Sequence, residues 1–453
     1  MPCHLVCGLL APDQTSENHR KARSLTVSWL RWGYTGDIVE GTSVDDILNV
    51  CASRDFDYCF ILGAGMIVRQ QRTPEQDEAA EFFPALSRWV GKKTFLVCGE
   101  VLCTPERSQG LRSRWLLVDL RRYREFGCPK FAGKMPVLVE GRDSAESASE
   151  SGKAPEFPEG ARLIQASLEH QLKLHDLAAN LRELLADLGP DLNEQPGFVE
   201  DLIGQSDRLK RGVFPWNFEP YADVAESPAD WRGPISTLYS VAAGLKPNMI
   251  LNTHGFAEDT EVVFFDYSAY ELEFRKLLCS EWDGIDYPGF LKYAAGKLPS
   301  DAYYALPGVS AGDPMMDELW RREVSLWGGE KQFQSHWSRY RKLRHRFVVC
   351  NLLTEQESIL KELSPAAGTV MWWSNAFATV YTACHYCIEE KQALYESWIR
   401  ALALKAPEML LYGSDHSNSS VNGMNARDYL TAYEKAGGDP LKERRLNRRA
   451  IHF

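Results

Sequence analysis

The stretch EVVFFD, residues 261–266, runs through four apolar residues without alternation and stops on an acid. A strand with no polar face needs cover on both sides, and that is the situation of a strand inside a helix-covered, mainly parallel sheet. The residues that follow, AYELEFRKLLCSEW, change to a helical period. Strand, terminal acid and immediate helix are the parts with which open α/β sheets hold a nucleotide's ribose, because ligands lie outside the carboxyl ends of the strands. Asp266 is therefore the first candidate ligand-binding residue.

The same alternation recurs along the chain. From the N-terminus, HLVCGLLA reads as a strand, 15–34 as a helix, TGDIVEG as a short strand, and VDDILNVCAS as a helix with Ser43 as its cap. DYCFILGAGMIV then reads as one buried strand, EAAEFFPALSRWVG as a helix, KTFLVCGEVL as a strand, and SRWLLVDLRRYREFG as a strand passing into a helix or turn. This forms one α/β domain over 1–140. Residues 141–160, rich in Ser, Glu, Gly and Pro, read as a flexible loop, and 161–189 as a helix stopped by Gly189 and Pro190. Together they open a loop and helical region over 141–233. A second α/β unit covers 234–413, with a helical, aromatic-rich insert at about 282–345, and 414–453 reads as a polar, basic tail. The expected class is α/β: two Rossmann-like, mainly parallel sheet domains joined by a helical region.

Composition narrows the function classes. At 453 residues the chain exceeds a single ordinary core, and 44% hydrophobic with 25% charged residues is a globular balance. A net charge of -11 argues against general nucleic-acid or membrane-surface binding, which draws on surplus Lys and Arg. No apolar run approaches the ~20 residues of a membrane span. The N-terminus lacks a signal peptide's basic start and long apolar core, so a cytoplasmic location is expected. Eleven cysteines, mostly in apolar runs, are expected to be reduced core residues.

In the second unit, ISTLYSVAAGLKP reads as strand and glycine turn, and Asp266 lies 22 residues beyond Gly244, near the spacing of about 20 between a cofactor turn and its ribose acid. AAGLKP has one glycine, where a pyrophosphate cradle takes three, so a phosphate-free nucleoside ligand suits it better than NAD. On these residues the segment 235–413 resembles the class I S-adenosylmethionine (SAM)-dependent methyltransferases. The resemblance implies SAM as cofactor and a small-molecule acceptor, with no metal. It would place Gly244 at the cofactor turn, Asp266 and Ser268 by the ribose, and Asn351, after the strand RFVVCNLL, near the adenine. Ser374 and Asn375, in WWSNAF, would stand at the rim where cofactor and acceptor meet, with His254 or Tyr381 as base. The interval of 85 residues from Asp266 to Asn351 exceeds the family's usual spacing, and an inserted lid would account for it.

Other strings carry alternatives. Ser374 and Asn375 also suit a cap on the next helix. His254, near Glu258 and Asp259, has the residue type of a general base, and Cys384, His385 and Cys387 share a predicted helix without the second cysteine pair of a zinc site. The aromatics of the insert suit a small core or a ligand pocket. WSRYRKLRHR, 337–346, reads as a solvated basic face or as a clamp on an anionic substrate through Arg344 and Arg346. The first domain resembles GT-A nucleotide-sugar glycosyltransferases but supplies no DxD acid pair after DYCFILGAGMIV; Asp55 and Asp57 precede that strand. Glycosyl transfer by this domain and a non-catalytic binding scaffold are the competing expectations.

Overall fold

The structure is a computed structural model that describes residues 4–12, 15–34, 36–68, 82–90, 94–103, 109–132, 159–177, 181, 184–217, 221–228, 231–304 and 314–438. The loop expected at 141–160 lies almost wholly outside the described residues, as does the basic string KERRLNRR. The protein is a mixed α/β chain whose described residues form two compact units that divide between Val199 and Glu200.

The first unit begins β1 (Leu5–Leu10), α1 (Glu17–Gly33), β2 (Ile38–Gly41), α2 (Val44–Ala52) and β3 (Tyr58–Gly63). It continues β4 (Met66–Val68), α3 (Phe82–Val90), β5 (Val97–Cys103), β6 (Gln109–Asp119), α4 (Leu120–Glu125), α5 (Ala161–Glu169), β7 (His175–Asp176) and β8 (Leu185–Asp187). Its main sheet has the order β2-β1-β3-β6-β5-β7, with β6 antiparallel to both its neighbours. Side chains alternate between two cores: Cys59 and Ile61 pack on one face of β3, and Tyr58, Phe60 and Leu62 on the other.

Two sequence expectations fail here for local reasons. DYCFILGAGMIV breaks into β3 and β4 because Gly65 turns the chain at φ +87°, and β4 then pairs antiparallel with β8. The expected helix 161–189 ends at Glu169. Gln171 adopts φ +57°, and the Leu177 N–H bonds to Gly99 O instead of continuing a helix, so tertiary pairing overrides the helical period.

The chain then forms α6 (Pro196–Leu209), β9 (Gly212–Val213), β10 (Ile235–Val241), α7 (Lys246–His254), β11 (Phe256–Asp266) and α8 (Ala269–Glu281). Next come α9 (Tyr287–Ala295), β12 (Tyr303–Tyr304), α10 (Pro314–Leu326), α11 (Glu330–Tyr340), β13 (Arg344–Val349), α12 (Glu357–Leu360) and β14 (Thr369–Trp372). The last elements are α13 (Val380–His385), α14 (Ile388–Lys405), β15 (Leu410–Ser414), β16 (Ser420–Asn425) and α15 (Ala426–Lys435). Strand order is β13-β11-β10-β14-β15-β16, parallel throughout except for β16. From β10 the chain winds outward through β11 to β13, then returns to β14 on β10's other side. The order therefore reverses between β10 and β14, the switch point of a doubly wound sheet.

The segment from 414 is not wholly a tail, since it supplies β16 and α15, whose Tyr429 and Tyr433 are buried. The long helix expected after WWSNAF breaks at Tyr386, and Cys387 caps α14. Trp372 lies 5.7 Å from the Lys246 ammonium at the start of α7, whereas Trp373 packs against Tyr395 and Trp398 of α14, so the pair divides between two helical layers. Aromatics of the insert, Trp282, Tyr287, Trp320, Phe333 and Trp337, stack on one another as a core.

Candidate functional site

β10 and β11 run parallel, with Val241 level with Phe265, so Gly244 and Asp266 emerge at the same carboxyl edge. β13 brings Asn351 there as well: Val349 is level with Asp266, and the Cys350 N–H donates to Asp266 O at 2.8 Å. β14 delivers Ser374 and Asn375 on the far side of β10. Ser268, two residues beyond Asp266, caps α8. The structure thus gathers Gly244, Asp266, Ser268, Asn351, Ser374 and Asn375 along one edge.

The electrostatics centre on Asp266, which is 6% exposed. Its Oδ1 accepts the Ser268 N–H at 2.9 Å, and the Ala242 and Tyr267 amides also support the carboxyl. Burial outweighs these bonds and raises its pKa to about 7. One turn into α8, Glu271 is fully buried; burial pushes it well above the carboxylate range, with Arg275 opposing and Asp266 adding to the rise. Arg275, also fully buried, donates through Nε to Ala242 O at 2.7 Å and through Nη2 to the carbonyls of Ala242 and Gly244. Among the described residues, Glu271 Oε1, Arg275 Nη1 and the Tyr304 hydroxyl are buried without a hydrogen-bond partner.

Gly244 itself has φ +56°, which only glycine takes without cost. A Cβ there would lie 1.9 Å from Asn217 Oδ1, so the close approach that needs glycine is made by the chain's own segment 212–217. The Gly244 N–H donates to Phe214 O at 2.9 Å, and the Lys246 N–H to Asn217 Oδ1 at 3.2 Å. The Phe214 N–H donates to Glu271 Oε2 at 2.5 Å, and the Ser268 hydroxyl to Gly212 O at 2.6 Å. Nothing in GVFPWN signals this segment's place, because it carries no period and its anchors are mostly backbone groups.

Ser374 has φ +55°, unusual for serine and costly by about 1 kcal/mol. The cap of the next helix is Thr379, whose hydroxyl accepts the Thr382 N–H, so the capping account of Ser374 and Asn375 does not hold. Asn351 Oδ1 accepts the Leu353 N–H, a local turn that fixes its side chain. The Tyr381 hydroxyl donates to Gln205 Oε1 at 3.2 Å, and burial raises its pKa, which makes it a neutral donor rather than a base.

His254 stands elsewhere. α7 carries the chain back to the opposite edge, where Gly255 O accepts the N–H of Ile235, the first residue of β10. Seven strand residues, about 20 Å, separate that edge from Asp266. Both ring nitrogens are engaged, Nδ1 with the Ser227 hydroxyl and Nε2 with the Tyr412 hydroxyl, each at 2.9 Å, and burial lowers the pKa to about 4. The expectation of a general base at His254 is corrected: the imidazole is a neutral, buried linker. Arg344 and Arg346 are likewise not a free clamp, since Arg344 pairs with Glu261 and Arg346 with Glu261 and Glu362.

In the first unit, β3 ends on Gly63 and no acid follows through Val68. β8 brings Asp187 level with Met66, but its carboxylate is held by the Arg114 guanidinium and the Gly189 N–H. Asp57 accepts the His4 N–H at the other end of β3. Among the described residues, no group of three or more His, Cys, Asp or Glu could hold a metal ion, and no helix is long and apolar enough to cross a membrane. Comparison with known proteins finds no family model that matches the chain, and no curated protein matches it either.

Proposed function

We propose that the second unit binds SAM at the carboxyl edge of its sheet and transfers the methyl group to a small acceptor. The observation that supports this most is the switch point between β10 and β14 with a buried acid, Asp266, ending the adjacent strand. A carboxyl has about four lone-pair directions; three amides address this one, which leaves a direction for a ribose hydroxyl.

The turn favours a ligand without phosphates. An anion at a helix N-terminus draws on free N–H groups. At α7 Pro247 has no N–H, and those of Asn248 and Met249 bond to Leu245 O, so the first turn of the helix has few N–H groups for an anion. SAM has no phosphate and, when bound, supplies the activated methyl group. The protein's share is then orientation and exclusion of water. Asp266 and Ser268 would orient the ribose, Asn351 the base, and Ser374 with Asn375 the acceptor, whose proton Tyr381, a neutral phenol, is not set up to take.

The test is calorimetric titration of the whole protein with SAM, S-adenosylhomocysteine, NAD and UDP-glucose. Heat with the first two, lost in Asp266→Ala, is the expected result. Heat with UDP-glucose alone would move the site to the first unit, and silence with all four would leave a binding scaffold.

A further inference from the structure

We propose that residues 212–217 form a strap that occupies the nucleoside turn as an internal ligand and has to leave it for SAM to bind. This rests on the SAM reading above and concerns the regulation of that same site.

The strap meets the site with ligand-like polar groups. Phe214 O takes the Gly244 N–H, Phe214 N–H supplies Glu271, Asn217 Oδ1 takes the Lys246 N–H, and Gly212 O takes the Ser268 hydroxyl. These four contacts use two residues of the glycine turn and two that follow Asp266. They are the groups that a nucleoside seated at a switch point would address. The side chain of Asn217 fills the space over the Gly244 Cα, so strap and ligand exclude each other sterically as well.

The strap is held unevenly: Val213 is fully buried in the core and Pro215 O accepts the Tyr287 hydroxyl, whereas its strand pairing is short and its two ends differ in cover. Gly212–Val213 pairs with Tyr303–Tyr304 in an isolated two-residue ladder, and a two-stranded ladder of this length has little stability of its own. Phe214, Trp216 and Asn217 are only partly buried. Glu271, whose Oε2 takes the Phe214 N–H, keeps Oε1 unpartnered among the described residues, as does the hydroxyl of Tyr304 in the paired strand. Buried polar atoms of this kind are normally satisfied, so the strapped state leaves polar capacity that a bound ligand could use. Occupancy by the strap makes the competent state a fraction of the population and weakens the apparent affinity by that fraction.

The experiment titrates the full-length protein with S-adenosylhomocysteine in three forms: wild type, Asn217→Ala and Asn217→Asp. Asn217→Ala removes the acceptor for the Lys246 N–H, and Asn217→Asp keeps one. Hydrogen exchange of the peptide spanning 212–217 is followed with and without ligand. The proposal expects binding to tighten on the order of fivefold in Asn217→Ala, the factor that follows from one ordinary hydrogen bond, and to stay near wild type in Asn217→Asp. It also expects exchange in the strap to rise when ligand binds, whereas a segment merely beside a ligand would be protected. Equal affinity in all three forms with unchanged or slower exchange would overturn the strap and leave the SAM reading standing. No binding in any form, with circular dichroism showing the fold intact, would overturn the SAM reading and the gate with it.

Discussion

Two strands of this protein end on an acid that leads into a helix, and the two acids have opposite surroundings. Asp119 closes β6 in the first unit, 4% exposed, and caps α4 by accepting the N–H groups of Arg121 and Arg122. The guanidinium groups of the same two arginines lie at 3.2 and 3.5 Å. Asp266 closes β11 in the second unit, 6% exposed, and among the described residues no cation comes within ion-pair distance. VDLRRY and FDYSAY look alike at the level of strand and acid. What separates them is the next three residues: Arg121 and Arg122 neutralise the first acid locally, and Tyr267, Ser268 and Ala269 cannot. An acid buried with cations paired to it is a structural part, and one buried without an ion pair has its pKa pushed up by burial.

The sharpest break in this comparison comes from removing the cations. Arg275 is the nearest compensating charge for the buried acids of the second unit, and it also satisfies the Ala242 and Gly244 carbonyls. Arg275→Ala leaves those carbonyls and the acids unpaired in the core and should cost about 3–5 kcal/mol in urea unfolding. Arg122→Ala, at a third-exposed cation whose acid keeps Arg121, should cost under about 1 kcal/mol. Similar losses in both would mean that Asp266 and Asp119 are held alike.

Exchanging each acid for its amide separates the two by sign as well as size. Asp266 keeps its proton to about pH 7 in the folded protein and only to about pH 4 when unfolded. Between those values the folded state holds the extra proton, so the contribution of Asp266 to stability falls as pH rises, and its full cost is present above pH 7. Asp266→Asn should therefore match wild type at pH 4 and exceed it by about 4 kcal/mol at pH 8, while losing S-adenosylhomocysteine binding. Asp119→Asn should instead lose about 1–2 kcal/mol at pH 8, because the cap and ion pairs weaken. Denaturant midpoints at the two pH values decide between these outcomes. The buried imidazoles act in the other direction in both proteins of each pair: His254 and His345, lowered to about 4, and His336, lowered to about 3, destabilise the fold as pH falls below 6.5.

How much of this was legible in the sequence follows from what each feature depends on. Strands whose apolar run and terminal acid are local, β11 and β6 above all, could be read directly. The switch point could also be approached, since the spacing of Gly244 and Asp266 fixes strand, turn and strand in order. The bend at Gly65, the end of α5 at Glu169 and the antiparallel place of β6 depend on pairing with distant strands, which periodicity does not carry. The site divided along the same line. Residues at strand ends gathered as expected, because a parallel sheet brings its carboxyl ends to one edge. His254 did not, because a nine-residue helix separates it from that edge. The 212–217 strap was invisible for a third reason: its contacts are mostly backbone groups, which every sequence has.

The smallest expected effect tests whether the first unit is as inert as its paired acid suggests. Its core holds four cysteines with no exposed surface, Cys7, Cys51, Cys59 and Cys98, and Cys51 Sγ and Cys59 Sγ approach to 3.7 Å. Burial raises the thiols of Cys7 and Cys59 far above neutral, so neither is the thiolate that reacts. The layer closes over Gly8, where a Cβ would lie 2.5 Å from Ile47 and 3.4 Å from Cys59 Sγ. The thiols act as small apolar fillers in a close-packed layer. Cys59→Ala should then cost about 1 kcal/mol, and Cys59→Ser about 1–2 kcal/mol, because the hydroxyl has a weak-donor thiol as its nearest partner. Neither change should alter the rate at which a thiol reagent labels the native protein, whose exposed cysteine among the described residues is Cys128. Rapid labelling of Cys59 in the wild type would show that this layer opens, and the contrast between a static first unit and a second unit built around uncompensated charge would fail.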